Sequence, residues 1–169
     1  MEAKEKIPLI VILSNGRSGS TLLDLLLGVH PNMWTLGEAH ILPFEYREDR
    51  QPCGCGKKVS ECAFWQSLKP HLSLDDQSYP IEYFRRRHDL YKVLRPKDLI
   101  DMFLRPPSSM KREAAICQYG LVNYQYFYEV RRQATEDFQI YAHWLIDASK
   151  SGYRLHWLLK SNLFDIKVI

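Results

Sequence analysis

Residues 7–13 form one unbroken apolar run, Ile-Pro-Leu-Ile-Val-Ile-Leu, followed at once by Ser14-Asn15-Gly16-Arg17-Ser18-Gly19-Ser20 and then by Thr21-Leu22-Leu23-Asp24-Leu25-Leu26-Leu27. This succession narrows the possible folds more than any other stretch of the chain. An apolar run without alternation suits a strand covered on both faces, as in a parallel sheet with helices on each side. Pro8 is tolerable only because it stands at the start of that run. The leucine-rich segment is a strong helix former, stopped by Gly28 and the His30-Pro31 pair. The N-terminus therefore reads as strand, tight polar loop, helix.

The same pattern returns near the other end. Residues 143–146 read as a second buried strand, 147–150 as its exit, 153–160 as a short amphipathic helix, and 165–169 as a third strand. Two strand-loop-helix units and the opening of another imply an α/β fold, a parallel sheet flanked by helices. Between them, 43–80 reads as an irregular cysteine-containing insertion and 81–138 as mainly helical, broken at Pro96 and at Pro106-Pro107. Ser108 or Ser109 is placed to cap a helix with Glu113 in its first turns. In that helix Ala115, Tyr119, Val122, Tyr126 and Val130 recur at helical spacing as a core-facing stripe.

The 169 residues fit a single domain and can bury a core without disulfides or metal. With 46% apolar, 25% charged and 12% aromatic residues, a disordered or low-complexity chain is excluded. No run is long enough to cross a bilayer, and no cleavable leader is visible, so the expectation is a soluble cytoplasmic protein with no membrane span. The net charge is only +3. Nine Lys/Arg and three Asp between Arg85 and Arg112 nevertheless concentrate positive charge. That stretch is either a solvated surface or an attractor for an anionic ligand. No nucleic-acid motif accompanies it, so nucleic acid is not expected as a partner.

The loop carries the chemistry. Unpaired amides at a helix N-terminus, with the positive end of its dipole, make an anion site. Gly16 and Gly19 let backbone approach phosphate oxygens. Ser18, Ser20 and Thr21 add hydroxyl donors, and Arg17 a charge able to bond in pairs. It is not a Walker loop, which needs four residues between its glycines and a Lys before the Ser/Thr. Here two residues separate Gly16 from Gly19, and Ser20 stands in the lysine position.

The run from Ser14 to Leu23, then Gly28-Val29-His30-Pro31 and Leu36-Gly37-Glu38, resembles the sulfotransferases that use 3′-phosphoadenosine 5′-phosphosulfate. The match is to their Arg-Ser-Gly-Ser-Thr type, which includes Golgi carbohydrate and tyrosylprotein enzymes and many bacterial relatives. Cys53-Gly54-Cys55-Gly56 with Cys62 and Phe64-Trp65 is similar to a segment of some bacterial members. The resemblance covers 7–65 and 144–169. It implies a P-loop-NTPase-like architecture, with Gly16, Arg17, Ser18, Gly19, Ser20 and Thr21 holding the 5′-phosphosulfate of that co-substrate and no metal required.

It also implies Glu38 as the base that takes the acceptor proton, matching the Gly-Glu pair of the tyrosylprotein branch. The Arg that follows in that branch is not found at the same spacing, and His40 occupies the neighbourhood as an alternative base. Lys150-Ser151 is similar to the Lys-Ser or Lys-Thr pair near the leaving oxygen, although the common form is Asp-Lys-Thr-Pro; the alternative is a solvated lysine. The acceptor is a small molecule, carbohydrate or lipid. In the family a second element after the third strand grips the 3′-phosphate, and the sequence stops at Ile169 inside that strand. The expectation is weakened cofactor binding and poor turnover, so a non-catalytic nucleotide-binding remnant, or a fragment of a longer chain lacking turnover, stands as the alternative function. Cys53, Cys55 and Cys62 have no standard zinc spacing and are expected as thiols, a Cys53–Cys62 or Cys55–Cys62 link being conceivable on oxidation. His71, His88, His143 and His156 are read as structural.

Overall fold

The computed structural model describes residues 5–72 and 110–169. The helical patches expected at 81–105, the Ser108 or Ser109 cap, His88 and nearly all of the basic stretch lie outside the described residues. In chain order the elements are β1 (Ile7–Val11), α1 (Ser20–Gly28), β2 (Met33–Thr35), α2 (Leu42–Glu48), α3 (Ala63–Leu72), α4 (Met110–Glu136), β3 (Trp144–Asp147), α5 (Gly152–Ser161) and β4 (Phe164–Val168). Short 3-10 turns, Ala39–Ile41 and Val59–Glu61, precede α2 and α3.

The four strands form one sheet in the order β2-β3-β1-β4, and every pairing is parallel. Leu9 faces Leu145 on one side and Ile166 on the other, so β1 is paired along both edges. Its five residues are all buried. Alternate residues serve opposite faces, as strand geometry requires. Ile7, Leu9 and Val11 join the larger core with Tyr126, Phe127 and Leu158 from α4 and α5; Ile10 and Ile12 join a smaller one with Ile146, Ala148 and Leu27 of α1. The protein is thus α/β, a parallel sheet flanked by helices. Among the described residues no helix is long and apolar enough to cross a membrane.

Two sequence expectations change. Met33–Thr35 is a strand, too short and too closely framed by turn residues to announce itself, and it makes residues 164–168 the fourth strand rather than the third. The segment 43–80, read as irregular, contains α2 and α3 in its described part. Pro43 sits in the first turn of α2, where its missing N–H costs nothing. In α3 Phe64, Trp65, Leu68 and Leu72 are all buried at helical spacing, and Pro70 falls only in the last turn.

In α4, Tyr119, Tyr126 and Val130 are buried and Val122 partly so, as the stripe requires; the Ala115 side chain lies outside the described set. α4 meets α5 where Gly120 faces Ser161. A Cβ at Gly120 would stand 2.3 Å from that of Ser161, so only glycine permits the approach.

Between α4, α5 and the end of β3 lies a buried polar cluster that the sequence did not reveal. Arg154 donates from Nε to Asp147 Oδ2 at 2.7 Å, and from its terminal nitrogen to the Tyr119 hydroxyl at 2.9 Å and Asn123 Oδ1 at 2.6 Å. Burial works against the Arg154 charge, but Asp147 and Tyr119 outweigh it and push its pKa further up. Burial likewise raises the Tyr119 hydroxyl pKa, with Arg154 opposing. Removing one partner of such a pair strands a charge in the core. Arg154→Met is therefore expected to destabilise the fold by about 3–5 kcal/mol in urea unfolding. A loss below about 1 kcal/mol would place the pair among ordinary surface contacts.

Candidate functional site

Because the sheet is parallel, the carboxyl ends of β2, β3 and β1 open on one edge, the edge where α/β proteins bind ligands. Three chain exits meet there: the loop after β1, the turn 36–38 after β2, and 148–150 after β3. They are stitched together by backbone. Ile12 N–H donates to Asp147 O at 3.0 Å, Ala148 N–H to Gly37 O at 2.7 Å, and Leu36 N–H to Ile146 O at 3.0 Å. The Ser149 hydroxyl accepts from the His40 amide at 3.3 Å and itself donates to Asp147 Oδ1.

The loop from Asn15 to Gly19 is exposed. Gly19 caps α1 at φ 81°, a left-handed conformation that glycine adopts without penalty, and no side chain caps the helix there. Among the described residues the amides of Arg17, Gly19, Ser20 and Thr21 make no backbone hydrogen bond. Arg17 is exposed, forms no ion pair among the described residues, and is itself left-handed at φ 63°. Ser18 and Thr21 are exposed, whereas Ser20 is buried. At the start of the loop, the Ser14 hydroxyl is buried and has no hydrogen-bond partner among the described residues.

Glu38 and Lys150, remote in sequence, meet: Lys150 Nζ lies 3.1 Å from Glu38 Oε1. The Glu38 side chain is 40% exposed and that of Lys150 13%. Lys150 is also left-handed, at φ 55°. His40, the other candidate base, is buried. His71 is exposed at the end of α3, and His143 stacks beside Tyr141.

Asp24 escaped sequence reasoning because an isolated Asp in a leucine helix reads as its solvent face. It is in fact buried, while Leu22, Leu25 and Leu26 of the same helix are exposed. Its carboxylate accepts from the Thr35 hydroxyl, which in turn accepts from the Gly37 amide at 3.2 Å. Burial holds the Asp24 carboxyl above the ordinary carboxylate range; the Thr35 bond opposes this, Asp147 adds to it, and Lys150 opposes. The interplay with Lys150 ties the first turns of α1 electrostatically to the β3 exit.

Away from this edge, Cys53, Cys55 and Cys62 carry free thiols whose sulfurs all lie within 4.8 Å of one another. The Lys57 amide, and after it the neighbouring thiols, hold the exposed Cys55 thiol below its usual pKa, whereas burial pushes the Cys62 thiol up to about 11.

Comparison with family models, with curated proteins and with solved structures finds no match to this chain.

Asp24 offers a test of the site's electrostatics. A carboxyl whose folded pKa is raised binds its proton more tightly in the folded state. Its contribution to stability therefore falls as pH rises from the ordinary carboxylate range through the raised value. Asp24→Asn retains an acceptor for Thr35 and loses the charge. Its stability relative to the parent is expected to improve between pH 4 and pH 7 in paired denaturation curves, and a pH-independent difference would contradict the burial argument.

Proposed function

We propose that the chain binds 3′-phosphoadenosine 5′-phosphosulfate and moves its sulfuryl group to an acceptor hydroxyl or amine. The observation that carries this reading is the exposed loop between the buried end of β1 and α1, in which, among the described residues, Arg17 forms no ion pair and the amides of Arg17, Gly19, Ser20 and Thr21 make no backbone hydrogen bond. Its donors are amides, hydroxyls and a guanidinium, the set suited to a phosphosulfate tail. The buried Ser14 hydroxyl at the start of the loop, without a partner among the described residues, fits the same need. The finer fold assignment, a P-loop-NTPase-like domain, rests on the same support: a parallel sheet whose central strand delivers a glycine loop to a helix.

In this reading Gly16, Arg17, Ser18, Gly19, Ser20 and Thr21 hold the phosphosulfate in line with the acceptor, and positioning supplies much of the rate. Glu38 takes the acceptor proton as the acceptor's lone pair forms the new bond to sulfur. The sulfur–oxygen bond to the phosphate breaks with its electron pair on the phosphate oxygen, and Lys150 offsets that charge. The 3.1 Å Glu38–Lys150 contact is the resting arrangement of the base and the cation. Glu38 is preferred to His40 because its side chain reaches solvent while the imidazole is buried. No step calls for a metal ion.

Calorimetry with 3′,5′-phosphoadenosine and with magnesium-ATP tests this directly. The adenosine bisphosphate is expected to bind more tightly, and Arg17→Ala to weaken it by about 1.5–3 kcal/mol, the size of a charged hydrogen bond. Glu38→Ala is expected to keep that affinity and to lower sulfuryl transfer by about 10²–10⁴-fold. Binding without any turnover in the parent would leave a nucleotide-binding module, tighter magnesium-dependent ATP binding a phosphotransferase, and no binding at all an ordinary capped turn.

A further inference from the structure

We propose that Cys53, Cys55 and Cys62 form a three-thiolate site for one thiophilic divalent cation of the zinc type, its fourth position open to solvent. The sequence spacing alone argued against zinc, because a C-x-C pair and a later cysteine complete no familiar ligand set. The fold changes the terms. Cys53 and Cys55 sit on a tight hairpin closed by the Pro52–Lys58 bridge, with Cys53 N–H donating to Lys57 O at 2.8 Å and Gly56 N–H to Cys53 O at 2.8 Å. Cys62 stands at the end of the Val59–Glu61 turn, where its carbonyl accepts from Gln66 N–H of α3.

The dimensions suit a metal. A zinc–sulfur distance of about 2.3 Å in tetrahedral geometry separates sulfurs by about 3.8 Å. Here Cys53 and Cys62 stand 3.5 Å apart and all three sulfurs lie within 4.8 Å, so side-chain rotations of about an ångström close the set. All-sulfur donors exclude magnesium and calcium, which take oxygen. Three thiolates also fall short of the four that iron–sulfur clusters use. On binding, each thiol gives its proton to solvent. The resulting site carries one net negative charge, on a hairpin that also bears Lys57 and Lys58. Cys55 is exposed, which leaves the remaining position to water.

The site would also supply something the local structure lacks. Gly54, Cys55, Gly56, Lys57 and Lys58 are all exposed, and a two-stranded hairpin alone is marginal in water. A metal joining it to the start of α3 supplies the missing cross-link. None of its ligands belongs to the loop 14–19 or to the Glu38–Lys150 pair, so it stands or falls separately from sulfuryl transfer.

The test uses the full chain with Cys117→Ser, reduced and freed of metal without oxygen, then titrated with Co²⁺ and back-titrated with Zn²⁺. The expected result is one Co²⁺ per chain, with sulfur-to-cobalt charge-transfer absorption and the visible bands of a tetrahedral site, displaced by one equivalent of Zn²⁺. Because Cys55 is exposed, Cys55→Ser keeps the fold by circular dichroism and is expected to weaken Co²⁺ at least about tenfold, the scale of losing even an outer partner of a ligand. Absence of the charge-transfer band, or affinity unchanged in Cys55→Ser, overturns the proposal.

Discussion

The position of β1 governs the rest of the molecule. It is buried on both faces and paired on both edges, so its side chains and its backbone are fully committed. Only its ends remain available for chemistry. Parallel pairing then places the exits of β2 and β3 beside its carboxyl end, with Val11 opposite Asp147 and Thr35 opposite Ile146. Residues separated by more than a hundred positions, such as Glu38 and Lys150, are brought together by this register alone. The site is a consequence of sheet order before it is a consequence of any particular side chain.

That arrangement creates an electrostatic difficulty, because two acids lie near a loop read as an anion binder. Both Asp147 and Asp24 are buried, at 0% and 6% exposure. Left charged, they would oppose any anion approaching that loop. The structure answers each differently. Asp147 is ion-paired with Arg154 and accepts from the Ser149 amide and hydroxyl. Asp24 accepts from the Thr35 hydroxyl, and burial holds its carboxyl above the ordinary range. A buried pair such as Asp147–Arg154 is poor support for stability in itself, since desolvation consumes most of the attraction. What it contributes here is a fixed β3 exit, with Ser149 and Lys150 in a defined place.

Much of this was legible in the residues, for identifiable reasons. Continuous apolar runs marked β1 and β3, glycines and hydroxyls marked the loop, and the tyrosine stripe marked the buried face of α4. Glu38 and Lys150 were singled out separately, but nothing in a linear sequence places them 3.1 Å apart. What escaped depends on tertiary context. Three residues of β2 carry too little periodicity to register. Cysteines and glycines at 53–56 masked the helical spacing of Phe64, Trp65 and Leu68 just beyond them. Arg154 lay in a helix read as amphipathic and Asp24 stood alone among leucines, and only packing reveals that both are buried. The converging sulfurs of Cys53, Cys55 and Cys62 depend on a hairpin and a 3-10 turn, neither of which the spacing conveys.

Backbone conformation adds an argument that side-chain identity does not. Five non-glycine residues among those described have positive φ: Arg17, Asp49, Gln139, Lys150 and Asn162. Asp49 and Asn162 terminate α2 and α5 as left-handed caps, a routine role for such residues. Gln139 follows soon after the end of α4. Arg17 lies in the turn at 16–17, and Lys150 directly precedes the Ser151 cap of α5. Each is a long cationic residue held in a conformation that costs about 1–3 kcal/mol outside glycine and its few tolerant neighbours. Arg17 lies in the loop after β1 and Lys150 in the exit of the adjacent β3. Strain of this kind persists only where the surrounding structure imposes it, and it concentrates at working sites. Its appearance at two cations on one edge of the sheet is a backbone argument that supports the anion-binding reading proposed above.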